Sequence, residues 1–534
     1  PGYSATMVTS GPGATNLITG IYCSWFDSIP NIHITGQVNL NEQRSFLKST
    51  QNCRQIGFQE TDIVELAKNF TKKAVQIKNS KKIYNILNDL YIKSNEGRKG
   101  PVLLDIPINI QKESVNKSNF NFQKKDNSDS KNYSKIILNL IKKSKRPVII
   151  LGGGIRLSGL DESHIKKILS LIKIPYLLTW GGFDLIDFNE KLNFNTIGVY
   201  GHRSSNLIVQ NSDLVLTIGC RLDTRTTGSR VDTFAPSSKI IAIDIDKNEL
   251  NKNRGTKIYK KINQDAKIFV SNLIKNKKQV NQHKEWLNHC FSLRAQFPYE
   301  KESTFKGKFV EIYNFFRILS SITAKNSIII PDDGGHLTWA MQAFQLKKGQ
   351  RMFSAFGNSP MGYALPASIG AAFAQKNKQI ICIDGDGSLM INVQDLFLVK
   401  KHQLNIKIFI INNDGYGIIR QFQSLYMNRR YEASKKGLQN PDFKKIAKSY
   451  DLPYHLISNN SHVKNKLEII IKEKGPSFVE VKIDPNQTIS PKLEFGRPIE
   501  DLSPLIDRKQ FHNLTKNVYI KSNKIKKKKF QEIN

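Results

Sequence analysis

The sequence predicts an α/β protein built from three doubly wound parallel-sheet domains. Short apolar runs rich in Val and Ile alternate with amphipathic stretches of helical length, the pattern of parallel strands covered by helices. The 534 residues allow about three or four domains at roughly 100–200 residues each. Glycine-rich segments follow several of the apolar runs, where open sheets bind ligands at their carboxyl edge, and no short-period repeat competes with this reading.

The first block, 1–122, has strand candidates at Ala5–Thr9, Asn31–Gly36 and Pro101–Ile106. The polar segment Asn116–Lys131 reads as a linker. The second block, 132–275, has strand candidates at Pro147–Leu151, Leu214–Ile218 and Ile240–Ile245, and the charged helical stretch Asn276–Gln296 leads out of it. The third, 308–485, has Ser327–Ile330, Ile380–Ile383, Ile406–Ile411 and Phe478–Ile483. Residues 486–534 read as an irregular extension with a lysine tail.

Composition removes several classes of function. Apolar residues make up 39% and glycines number 33, close to the globular range, which excludes a disordered or collagen-like chain. Five cysteines without metal-ligand spacing argue for a reducing, cytoplasmic setting and against a disulfide scaffold or zinc site. The first 26 residues are uncharged but rich in Gly, Ser and Thr and without a basic leader, so they read as neither signal peptide nor membrane span. A start at Pro1, directly before a strand-like stretch, reads as a fragment lacking its N-terminus. The net charge of +36 (81 basic, 45 acidic) is diffuse. Lys-rich stretches near 71–83, 142–146, 257–278 and 398–407 read as solvated helix faces, and only Lys521–Lys529 is a dense run. No basic stripe interleaved with aromatics is present, so no nucleic-acid partner is expected.

The third block carries the strongest chemical signal. Gly385-Asp386-Gly387-Ser388 follows one buried strand, and Asn412-Asn413 follows the next, with Asn413 27 residues after Asp386. Both segments therefore end at the carboxyl edge of one sheet. Asp386 offers a carboxylate oxygen, Asn413 an amide oxygen and Gly415 a main-chain carbonyl, a donor set for a hard cation that also holds phosphate oxygens. Gly385 and Gly387 would let backbone N–H groups approach the phosphates, and a helix starting near Leu389 would favour the negative charge.

This spacing resembles the thiamine diphosphate motif, and the resemblance covers nearly the whole chain. Met7–Pro30, Gly36-Gln37-Val38 and Phe58-Gln59-Glu60-Thr61 are similar to pyrimidine-domain segments of the acetohydroxyacid (acetolactate) synthases. The segments starting at Asp332, Ser359 and Gln439 resemble that family's diphosphate-domain segments. The resemblance implies a pyrimidine-binding, a Rossmann-like middle and a diphosphate-binding domain, thiamine diphosphate and Mg²⁺ as cofactors, small 2-oxo acids as substrates, and a homodimer or homotetramer. It leaves a regulatory subunit open. By the same resemblance Gly334, Gly335 and His336 meet the diphosphate, as do Gly385, Asp386, Gly387 and Ser388; Asp386, Asn413 and Gly415 hold the metal. Met361 is the wedge that bends the cofactor, Tyr416, Gly417 and Ile418 line it from the other side, and Phe58 and Gln59 lie near the substrate. The family's activating glutamate falls upstream of Pro1, so the central catalytic acid has no counterpart among these residues.

The middle block resembles the family's flavin-binding segments at Gly152-Gly153-Gly154, Gly198, Gly219, Arg221, Asp223, Arg225 and Asp244. Glycines after strands suit a pyrophosphate, and Arg221 and Arg225 could pair with it. Both an FAD site and a Rossmann-like domain without ligand fit these residues.

Departures from the family pattern concern the substrate. Ile108 and Asn109 stand where housekeeping synthases carry Lys-Asp after the strand-ending proline, and Asn39–Ile56 is longer and more basic than the family's loop, with Arg44, Lys48 and Arg54. These features resemble a synthase-like branch of bacterial surface-polysaccharide pathways. The expected reaction is thiamine diphosphate-dependent decarboxylation and carboligation of 2-oxo acids. The alternatives are a related enzyme with a different or sugar-linked 2-oxo acid, and an inactive cofactor-binding paralogue.

Overall fold

A computed structural model describes residues 2–116, 131–276, 283–299, 307–516 and 518. The lysine tail and almost all of the polar 116–131 segment lie outside them. The described chain forms two compact units, one of Pro1–Ser128 with Ala355–Pro360, the other of Asp129–Ser354 with Met361–Asn534.

The first unit holds a four-stranded parallel sheet of β1 (Ser4–Val8), β2 (Asn31–Gln37), β3 (Lys73–Gln76) and β4 (Val102–Pro107), in the order β1-β2-β4-β3. Asp105 is buried near the carboxyl end of β4, where Thr35, Gln37 and Gln76 all donate to it, at 2.7, 3.3 and 2.9 Å. One carboxylate on β4 thus satisfies three donors from the two flanking strands, at the edge where a ligand would approach. Ala355–Pro360 joins this unit: Asp27 Oδ1 accepts from Gly357 N at 3.0 Å, and Asn358 Nδ2 points at Cys23 Sγ, 3.6 Å away.

The second unit carries two six-stranded parallel sheets. The middle sheet comprises β5 (Pro147–Leu151), β6 (Tyr176–Leu178), β7 (Asn193–Thr196), β8 (Leu214–Ile218), β9 (Lys239–Asp244) and β10 (Ile258–Asn263), in the order β10-β9-β8-β5-β6-β7. The chain winds out from β5 through β6 to β7, returns, and winds the other way from β8, so the switch point lies between β5 and β8. The third sheet comprises β11 (Ile328–Pro331), β12 (Arg351–Met352), β13 (Ile380–Gly385), β14 (Ile406–Asn412), β15 (Tyr454–Ile457) and β16 (Ser477–Lys482), in the order β12-β11-β13-β14-β16-β15. Its switch point lies between β11 and β13. The isoleucine runs of β13 and β14 are buried throughout, as central parallel strands covered on both faces must be.

Three expectations change. The Lys-rich stretches at 71–83, 257–278 and 398–407 contain strands β3, β10 and the start of β14. In β10, an edge strand, Tyr259, Lys261 and Asn263 alternate outward, and the lysine helps blunt an open sheet edge. The segment after Ser388 is a 3₁₀ turn, Leu389–Ile391, and the first α-helix beyond it, Leu396–Lys401, is six residues long. A helix N-terminus therefore does not follow the Gly-Asp-Gly-Ser segment directly.

The third change concerns the extension after 486, which is structural. Helix Arg203–Asn211 is buried along its whole length although most of its residues are polar. The extension satisfies them: Asn206 donates to Ile499 O (2.7 Å), Arg203 to Leu502 O (3.0 Å), Gln210 to Glu500 (2.6 Å) and Asn211 to Leu514 O (2.9 Å). Leu493, Ile499 and Leu502 also pack into the middle domain's core. Among the described residues no helix is long and apolar enough to cross a membrane.

Candidate functional site

The third sheet's carboxyl edge gathers most of the residues singled out for the diphosphate. β13 and β14 pair in register up to Gly385 opposite Ile411, which puts Asp386 beside Asn412. Asp386 is buried, and its Oδ1 accepts from Gly387 N at 2.8 Å. Its Oδ2 accepts from Gly415 N and from Asn440 Nδ2, both at 2.9 Å. Burial pushes this carboxyl above its ordinary range, and the converging N–H donors pull it back towards the ionised form. Asn413 is buried with its amide against Gly417, where an added Cβ would lie 2.2 Å from Asn413 Nδ2. Arg420, also buried, holds the main-chain carbonyls of Asn413 and Asp414 at 3.0 and 3.3 Å.

Two of the glycines are required here by space and by backbone. A Cβ on Gly387 would lie 2.3 Å from the Tyr416 ring. Gly415 has φ +129°, and a Cβ there would meet Ser434 O at 2.4 Å. Ser388 turns inward rather than outward: its Oγ accepts from Gly385 N (2.9 Å) and donates to Asp384 (2.5 Å).

The other side of the switch point follows β11. Gly334 (φ +145°) opens helix Gly335–Ala343, and the His336 ring lies so close to Gly334 and Gly385 that a Cβ on either would come within 2.6 and 2.8 Å of it. His336 is buried, which pulls its pKa down to about 3, and the Asp332 carbonyl accepts from its ring. Its Nε2 has no partner, and neither has Oδ2 of the buried Asp384. Asp332, His336 and Asp384 lie with their polar atoms within 4.8 Å of one another. Burial raises both carboxyls far above the ordinary range, helped by the Asp384 charge at Asp332 and by the Asp386 charge at Asp384. Met361 stands one residue before a turn fixed at two points: Gly362 O accepts from Asn392 Nδ2 (2.6 Å), and Ala364 N donates to Asp332 Oδ2 (2.9 Å). Tyr416, Gly417 and Ile418 are half-buried at the start of helix Gly417–Tyr426. Unpartnered buried polar atoms beside glycines and a carboxylate fit a diphosphate with its cation.

Phe58 and Gln59 lie in the first unit. Phe58 is 86% exposed, and Gln59 adopts φ +62° against Gly11, a strained conformation for a non-glycine residue. Glu60 gathers the long loop before them, accepting from Arg44 N (2.7 Å), Ile56 N (2.9 Å) and Gly57 N (3.4 Å). Asn109 fixes the loop's other end by accepting from Leu40 N at 3.1 Å. Both departures from the family pattern thus belong to one folded feature.

The middle sheet's residues are arranged differently. Gly154 N donates to Gly219 O, and Gly152 N to Ile218 O, both at 3.0 Å. A Cβ on Gly152 would lie 2.1 Å from Gly219 O, and one on Gly198 2.1 Å from Arg225 O. Gly153 likewise faces the Gly181 carbonyl. These glycines admit neighbouring backbone. Arg221 pairs with Asp223 at 3.5 Å, Asp223 caps helix Thr224–Thr227, Arg225 lies 4.4 Å over the Trp180 ring, and Asp244 accepts from Asp246 N at 2.9 Å. A small cavity at the ends of β8 and β9, lined by Arg221, Asp244, Lys252 and Arg254, remains beside them. Gly152 N and Gly154 N are thus engaged by backbone carbonyls, while Nη1 of Arg225 is buried without a partner.

Asn440, Arg420, Asp332 and Asp384 went unassigned in the sequence reading. The signal for Asp384 is a carboxylate inside an otherwise apolar strand run, and Asp105 shares it. Asn440 lies in the segment from Gln439 that the resemblance singles out, without a role of its own, and Arg420 carries no local signal.

Three family models match successive stretches of the chain: the N-terminal TPP binding domain of thiamine pyrophosphate enzymes over residues 2–66, their central domain over 135–273, and their C-terminal TPP binding domain over 332–481. Three parallel-sheet domains in this order define a thiamine diphosphate enzyme. The acetolactate synthase large subunit of Cyanidium caldarium is 31% identical over 507 residues, 92% of this chain and 83% of the relative. The isozyme 2 large subunit of Escherichia coli (strain K12) is 30% identical, over 92% of this chain and 86% of its own length. A probable acetolactate synthase large subunit of Methanocaldococcus jannaschii is 30% identical, over 95% and 87%. The chain belongs to the thiamine diphosphate-dependent acetolactate synthase family.

Proposed function

We propose that the chain decarboxylates a small 2-oxo acid and joins the remaining acyl unit to a second carbonyl compound, with thiamine diphosphate and Mg²⁺ held at the third sheet's switch point. The observation that carries the metal assignment is the Asp386 carboxylate, which is buried and aimed by Gly387, Gly415 and Asn440 at the ends of two central strands. The bound cofactor supplies the carbanion and electron sink that a protein side chain cannot. Asp386, Asn413 and Gly415 would hold the cation, with Gly334, Gly335, His336, Gly385 and Gly387 beside the diphosphate. Ser388 supports Asp384 and does not face the ligand. Met361 would support the cofactor from a turn tied to Asp332 and Asn392, with Ile418 on the opposite side. Phe58 and Gln59 would meet the substrate in an assembly of two or four copies. No flavin step is included, because the middle sheet's glycines are filled by backbone.

The Glu60-centred loop favours a substrate other than pyruvate alone. It is longer and more basic than the family's loop, its exposed Lys48 and Arg54 suit a larger or more acidic acid or acceptor, and Ile108 offers no cation. The test has two arms. Calorimetry should register thiamine diphosphate binding with Mg²⁺ and lose it with chelator; equal binding in chelator would refute the metal assignment. Steady-state kinetics should give a pyruvate-to-acetolactate kcat/KM well below the order of 10⁴ M⁻¹s⁻¹ at the low end for enzymes, and a value above it would return the chain to ordinary synthases.

A further inference from the structure

We infer that Asn440 is a positioning residue for the metal, held in place by Asn412 across the carboxyl edge of the third sheet. The inference rests on the reading of Asp386 as a metal ligand. Asn440 comes from the segment just before helix Phe443–Ser449 and donates its Nδ2 to Asp386 Oδ2 at 2.9 Å. The same Nδ2 reaches Asn412 Oδ1 at 3.4 Å. The Asn412 amide cannot be turned around. Its Oδ1 also accepts from Asp414 N (3.1 Å), and its Nδ2 donates to Glu480 Oε1 (2.8 Å), so a flip would set donor against donor and acceptor against acceptor. Glu480 is buried and receives the Tyr454 hydroxyl on its other oxygen at 2.6 Å.

The result is a polar relay from Tyr454 on β15, through Glu480 on β16 and Asn412 on β14, to Asn440 and the carboxylate beyond β13. In the Asn-Asn pair the second residue is the candidate ligand, and the first orients a neighbour. Asn440 and Gly415 N together occupy Oδ2 of Asp386, which fixes the carboxylate plane and the lone pairs left for a cation. A donor on an ionised carboxylate makes a charge-assisted hydrogen bond. Residues that orient metal ligands in this way typically contribute 10–100-fold to metal affinity.

The test uses the full chain and follows calorimetric binding of thiamine diphosphate while Mg²⁺ is varied, then repeats it with Mn²⁺, whose free ion is counted by its electron paramagnetic resonance signal. Asn440→Ala should raise the half-saturating metal concentration by about 10–100-fold. Thiamine diphosphate affinity at saturating metal and the melting temperature should stay as in the parent. Asn440→Asp sets an acceptor against Asp386 and should shift the metal requirement further. Asn440→Ser, a milder change, should shift it less and guards against misfolding of the other two. An unchanged metal requirement in all three overturns the inference. So does a loss of melting temperature and cofactor affinity that excess metal fails to restore, which would mark Asn440 as a staple for the following helix. Asp386→Ala is the reference: if that variant keeps metal-dependent binding, the metal reading itself fails, whereas a loss there with no shift at Asn440 removes only the positioning role.

Discussion

The second unit presents one sequence device, glycines just past buried strands, twice, with opposite results. Between β5 and β8, the Gly154–Gly219 hydrogen bond links the two loops, and backbone occupies the space a Cβ would take. Between β11 and β13, glycines face the His336 ring, and buried polar atoms of His336 and Asp384 are left without partners. Glycine after a strand records only that something approaches closely. The middle site also keeps a buried unpartnered atom, Arg225 Nη1, so the two sites differ in what the glycines meet: backbone carbonyls in one and the His336 ring in the other.

Four experiments sharpen or break this contrast. The largest effect is expected for Asp386→Ala, which should weaken Mg²⁺-dependent thiamine diphosphate binding by at least the roughly 100-fold at the top of the range for supporting residues; unchanged calorimetric affinity would erase the distinction between the two crevices. Next comes a pair of glycine variants. Gly152→Ala meets a rigid carbonyl and should cost about 1–3 kcal/mol of stability, as overpacking does, with cofactor affinity intact in a melting and binding assay. Gly387→Ala meets the Tyr416 ring at the candidate cofactor edge, so its loss should include cofactor affinity.

A third experiment uses pH. Burial pulls His202 and His336 down to about 3 from 6.5, so the unfolded chain binds more protons between those values. Stability should therefore be fully present above pH 6.5 and fall as the solution is acidified towards 3, by at most about 1.4 kcal/mol per pH unit for each histidine. His202→Asn should remove its share of this slope and leave cofactor binding alone, while His336→Asn should change both; identical behaviour would deny the third crevice its special status. The smallest effect is expected for flavin, which when added should leave the melting temperature unmoved. A protein purified yellow would show that the middle domain holds a flavin.

What the sequence made legible follows solvent exposure. Pro147–Leu151 and Leu214–Ile218 have the bounds read from their apolar runs. The strands missed were Lys73–Gln76, Tyr176–Leu178, Asn193–Thr196, Ile258–Asn263, Arg351–Met352 and Tyr454–Ile457, and all but Tyr176–Leu178 lie at sheet edges. Lys73–Gln76, Ile258–Asn263 and Tyr454–Ile457 are partly solvated, whereas Asn193–Thr196 is buried; in each of the four, polar residues interrupt the continuous apolar run that betrays a central strand. At the candidate site, Asp386 and Gly415 could be paired from spacing, and they are hydrogen-bonded. Asn440 approaches from 54 residues away, and no local pattern encodes that contact. The glycines of the middle block were legible as glycines, but the carbonyl each one faces was not.

The polar helix Arg203–Asn211 has a consequence for the order in which the protein is made. Its side chains wait for partners 299 and 293 residues later in the chain, at Leu502 and Ile499. A ribosome that has just completed the middle sheet has delivered this helix without the Ile499, Leu502 and Leu514 carbonyls that its side chains bond in the finished fold. Until the third sheet has also been synthesised, the middle domain lacks the part of its core that Leu493, Ile499 and Leu502 supply. A chain cut short before Ile499 should accordingly lose hydrogen-exchange protection first in the middle sheet, far in sequence from the cut.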